Sequence, residues 1–204
     1  MDTVAPQRAM RYGWLACWVF IVFFFAINAV RYIATSVSYI NLPERYMAPV
    51  ETAVYYLLFL VFLFGVRGFA LQKSDADLTK TLNTLILVNI AEMIMMYPYS
   101  FSYFIEQNFL SILLVALIPL ICINGIVLVR LAEGFSKYTP ELGVAAKRIT
   151  WWNKIAGWMF ASVILAIPGL IAALVGEFFL WRLLAKSRSD SGMNSTSPVI
   201  AAGV

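Results

Sequence analysis

Residues 14–30 read WLACWVFIVFFFAINAV, with no charged side chain and a single amide, Asn28. As a helix this stretch would be about 26 Å long, close to the ~30 Å hydrocarbon core of a bilayer. Similar runs recur along the chain. It has 204 residues, of which 62% are hydrophobic and 13% charged. A soluble domain is nearer half apolar and a quarter charged. The runs do not alternate apolar with polar residues as barrel strands do. We therefore read an all-α, polytopic integral membrane helical bundle of about five transmembrane helices.

The predicted spans are 12–33, 50–71, 78–97, 108–132 and 155–184, in a single domain over residues 1–186. A Ser-rich tail, 187–204, reads as disordered. The first span follows Arg8 and Arg11 but is too long for the apolar core of a signal peptide, so it is expected to be retained. Ser74 and Asp77, three apart, suggest a capping box at the start of the third span. Pro98 should end or bend that span. Within residues 133–154, Thr139 as N-cap, Pro140 in the first turn and Glu141 at the positive end of the dipole predict a short helix over about 140–152. With Lys147, Arg148 and Trp151 it would lie at the headgroup level.

Basic residues favour the cytoplasmic side. Arg8, Arg11, Arg67, Lys73, Lys80, Arg130, Lys137, Lys147, Arg148 and Lys154 all fall on one side if the N-terminus is cytoplasmic. Five spans then put Arg182 and Lys186 on the wrong side. A hairpin turning at Pro168-Gly169 would remove the conflict, but each arm carries only about 13 clean apolar residues, short for a span. Ser162, Ala166, Gly169, Ala173 and Gly176 recur at helical spacing and would form one packing face on a continuous helix. The expectation is one span kinked at Pro168, with the re-entrant hairpin as the alternative.

The chain contains no histidine and two cysteines, Cys17 and Cys122, both in apolar runs. Imidazole-ligated metals or haem and histidine general bases are thereby excluded. No Gly-rich phosphate loop or nucleophile elbow is present. The expectation is a protein that is not an enzyme, has no cofactor, binds no nucleic acid, and has membrane lipids and other membrane subunits, or itself, as partners.

Glu92 is the anomaly. Counted from Lys80 it lies about 18 Å deep, a little past the midplane. An ionised acid there costs on the order of 3 kcal/mol, so it should be neutral, paired or wet. Depth groups Asn28, Asn89, Glu92 and Asn124 as a polar seam across spans one, three and four. Met93, Met95 and Met96 are candidates for an adaptable apolar pocket beside it. Arg31 is expected to snorkel to headgroups, and Glu177 and Arg182 to be interfacial. The leading expectation is a non-catalytic helix-packing or accessory subunit of a membrane assembly. The alternative is a small transporter, channel or hydrophobic-ligand-binding protein centred on Glu92.

Overall fold

Helical periodicity is satisfied along almost all of the chain in its computed structural model, which describes residues 4–36, 44–101, 107–162 and 166–194, with side chains for 5–33, 47–101, 109, 111–162 and 168–187. The elements are α1 (Val4–Ser36), α2 (Glu44–Gln72), α3 (Ala76–Met96), a 3-10 turn (Tyr97–Phe101), α4 (Gln107–Ser136), α5 (Thr139–Leu142), α6 (Val144–Ala161) and α7 (Ala166–Asn194). Among the described residues there is no strand, and the fold is an all-α bundle. Five segments are long and apolar enough to cross a membrane: Ala5–Ile33, Met47–Gln72, Ala76–Phe101, Ser111–Ser136 and Pro168–Ser187.

The α2–α3 turn is tighter than a capping box would make it. Ser74 takes a positive φ of 54°. Its N–H donates to the Leu71 carbonyl, and the Asp75 N–H donates to that of Ala70. These two bonds make a Schellman stop, with serine where glycine is usual. Because Ser74 closes α2, the cap of α3 moves one residue on. Asp75 Oδ1 accepts from the Leu78 N–H at 2.9 Å. At the far end of α3, Pro98 lacks an N–H, and the chain tightens into the 3-10 turn.

The predicted kinked fifth span is two helices. Gly169 on α7 abuts Met159 and Phe160 on α6, and Gly176 abuts Asn153. Arg148 lies over the ring of Phe179, 5.3 Å from its centroid. Partners that climb along α6 as they descend along α7 define an antiparallel hairpin, the alternative reading. The small residues do form a packing face, but against the neighbouring arm. Ser162 caps the end of α6, with Oγ donating to the Met159 carbonyl at 2.7 Å. Ala166 falls among residues whose side chains are not described. The predicted interfacial helix is likewise corrected. Gly143, at φ 58° and ψ −127°, separates one turn of α5 from α6, and α6 runs from the basic segment into the bundle without a break. Residues 187–194, expected in a disordered tail, continue α7; 195–204 lie outside the described residues.

Glycines set the other crossings. Gly13 meets Gly65 between α1 and α2, and Gly125 meets the Gly157 carbonyl between α4 and α6. Such small-residue contacts let membrane helices approach closely. Neighbours touch in the order α1–α2–α3–α4–α6–α7 and back to α1, which closes a ring. Trp18 makes the α7-to-α1 closure edge-on with Trp181 at 5.9 Å.

The ring is packed tight at one end. Val66, Phe69, Leu82, Phe135, Ile149 and Leu184 are buried there. Phe69 stacks on Phe135 at 5.9 Å. Polar contacts fasten the same end. The Tyr138 hydroxyl donates to Asp75 Oδ2 at 2.9 Å, Lys73 pairs with Glu141, and Lys137 lies 3.5 Å from Asp77. The backbone N–H of Leu78 holds the Asp75 carboxyl below its ordinary range, and the Tyr138 hydroxyl adds to this. Burial, and then the bond to Asp75, push Tyr138 up to about 12. Because α7 returns alongside α6, Arg182 and Lys186 join this basic end, and the charge conflict of a single fifth span disappears.

Candidate functional site

Along α3, Leu85, Asn89, Glu92 and Met96 recur at intervals of four, three and four, so one face of the helix carries them all. That face lines a cavity of about 800 Å³ inside the helix ring. Every member of the ring contributes: Phe20 from α1, Tyr56 from α2, Ile121 from α4, Phe160 from α6 and Leu174 from α7 complete the apolar wall. Leu63, Leu131 and Leu180 belong both to the cavity lining and to the packed core, and so form its floor.

The polar groups are few and converge. Asn124 on α4 donates through Nδ2 to both Glu92 oxygens, at 3.0 and 3.1 Å. The pairing follows from helix polarity. Side chains tilt toward the N-terminus of their own helix, and α3 and α4 are antiparallel. Glu92 therefore leans toward the basic end and Asn124 away from it, and they meet in between. Asn124 Oδ1 is enclosed with no hydrogen-bond partner. Asn89 is buried and returns its amide to the Leu85 carbonyl at 2.9 Å. Asn153 on α6 does the same with the Ile149 carbonyl at 2.9 Å, tucked against Gly176.

Of the predicted seam, Asn89, Glu92 and Asn124 come together and Asn28 does not. In the upper part of α1 the face toward α2 carries Phe23, which meets Tyr55 edge-on at 5.6 Å. Asn28 lies off that face, exposed, and its amide donates to the Phe24 carbonyl at 2.7 Å. A bond to its own helix lets an amide remain there at low cost. Of the methionines, Met96 lines the cavity; Met93 and Met95 are rotated off the face that carries Glu92. Arg31, expected at the headgroups, forms an ion pair with Glu51 at 2.5 Å because α2 begins earlier than its apolar run suggests.

Glu177 was placed at an interface by the single-span reading. It lines the cavity from α7. Its signal was present: Glu177 follows Ala173 by four residues and so continues the small-residue face. Read as the second arm of a hairpin, that face carries the acid into the bundle. Among the described residues the cavity lining thus holds two carboxyls, three amides and no basic side chain. Among the described residues no group of His, Cys, Asp and Glu is arranged to hold a metal ion. No protein-family model, curated protein or solved structure matches the chain.

Proposed function

We propose that this chain is a membrane-embedded binding protein or carrier for an apolar small molecule, held in the central cavity and oriented by Glu92 and Asn124. The observation that carries the reading is the cavity itself: about 800 Å³, walled by all six long helices, mostly apolar, with a few convergent polar groups. Ligand sites have this composition and size. A structural acid needs only a partner on the next helix, whereas here a large cavity adjoins the pair. We also infer that the basic end faces the cytoplasm, since Lys and Arg concentrate there. The accessory-subunit reading drew on Gly169, Ala173 and Gly176, and those residues are occupied within the chain.

The test is a titration of the neutral dye Nile red into the protein in lipid nanodiscs, against empty nanodiscs. Saturable binding is expected, and Ile121→Trp, which fills the cavity from α4, should remove it while the thermal transition is retained. A titration indistinguishable from empty nanodiscs refutes the reading.

A further inference from the structure

This inference rests on the proposed ligand site and concerns what the site selects. Two acids on opposing parts of one helix ring line the same cavity, Glu92 on α3 and Glu177 on α7. Neither has a basic partner there among the described residues, whose share of the lining contains no lysine or arginine. Three arginines of the bundle are engaged elsewhere. Arg31 pairs with Glu51, Arg67 donates to Asn83 Oδ1 at 2.6 Å, and Arg148 lies on Phe179. Among the described residues Glu92 receives its bonds from Asn124, which leaves lone pairs on both oxygens. The Asn89 and Asn153 amides donate to their own helices, so among the described residues the free donors of the lining are the Tyr55 and Tyr56 hydroxyls, against the acceptor oxygens of two acids and three amides. A buried acceptor left empty is costly, and a carboxyl in apolar surroundings keeps its proton unless a positive charge compensates the ionised form.

We propose that the ligand is a lipophilic cation: an apolar body that fills the cavity, carrying a protonated amine or amidine whose N–H groups bond Glu92, with Glu177 a second carboxyl across the cavity that the positive charge favours in its ionised form. A neutral apolar molecule leaves those acceptors unmet, and an anion finds no cationic side chain among the described lining residues. Hydrogen bonds to charged groups are about twice as strong as neutral ones, which gives a preference of at least about tenfold for the cation over a neutral isostere.

The probes are a dansyl fluorophore on a hexyl chain ending in a primary amine and the same molecule ending in a hydroxyl. Each competes against Nile red on the wild-type protein in nanodiscs at neutral pH. The amine should displace the dye at least about tenfold more strongly than the alcohol. In Glu92→Gln and in Glu177→Gln the ratio should fall toward unity. If Nile red binds but the two probes compete equally on wild-type protein, cation selection is refuted and the apolar site stands. If the preference persists in Glu177→Gln, the two-acid site is refuted. If no dye binds, both this inference and the ligand-site reading fall. The wild-type comparison needs no variant to fold.

Discussion

Alanine at Gly157 should loosen the α4–α6 crossing, and by how much can be worked from the contacts there. Its Cβ would sit 2.5 Å from the Gly125 carbonyl oxygen, 2.7 Å from Val129 Cγ2 and 3.0 Å from the Val129 nitrogen. Two of these neighbours are backbone, so the helices must part by about 1 Å to reach ordinary contact, and dispersion is lost along the whole crossing. Overpacking of this kind costs about 1–3 kcal/mol, set against about 0.5–1 kcal/mol gained by replacing glycine in a helix. Gly134 is the internal control. A Cβ there meets Leu78 Cδ1 at 2.9 Å, a methyl that can rotate away. Gly134→Ala should therefore be nearly neutral, and Gly157→Ala should lose roughly 0.5–2 kcal/mol net. Equilibrium unfolding of both variants in mixed micelles on addition of SDS separates them. Equal stability of the two would refute the close crossing, and with it the position of α6 in the ring.

Two backbone positions should respond with opposite signs. Ser74→Gly relieves a positive φ and is expected to raise stability by up to about 1 kcal/mol, whereas Gly143→Ala introduces strain of about 1–3 kcal/mol, both read from unfolding curves. The Asp75 carboxyl has a lower pKa folded than unfolded, so its contribution is complete above the unfolded value of about 4 and is lost as pH falls through the folded value. Thermal midpoints measured downward from about pH 6 should fall for wild-type protein and fall less for Asp75→Asn. Tags on the two ends of the chain should be accessible from the same side of sealed vesicles, because α1 begins and α7 ends at the basic end; accessibility from opposite sides contradicts the hairpin.

The membrane class and most of the helices were legible because twenty-residue apolar runs have few other solutions. The hairpin was not, because small residues at helical spacing look the same whether the partner is another chain or the preceding arm. The basic Arg182 and Lys186 were the better guide, since a topology that strands them carries a cost that a glycine stripe does not. At the site, the spacing of Asn89, Glu92 and Met96 already separated the cavity face from Met93 and Met95. Depth alone brought in Asn28 wrongly, because depth says nothing about which side of a helix a residue occupies. Glu177 was lost through the topology error: a residue read at the outer end of one long span lies instead within the second arm of a hairpin.

The central claim is a ligand-accessible cavity around Glu92 and Asn124, and methyl NMR tests it most directly. Nile red is titrated into protein labelled at isoleucine, leucine and valine methyls. The expected result is saturable shifts at Leu85, Leu117, Ile121 and Leu180, which line the cavity. Shifts confined to Leu87, Leu114 and Val115, which are 65%, 57% and 66% exposed on the bundle's outer surface, would contradict it.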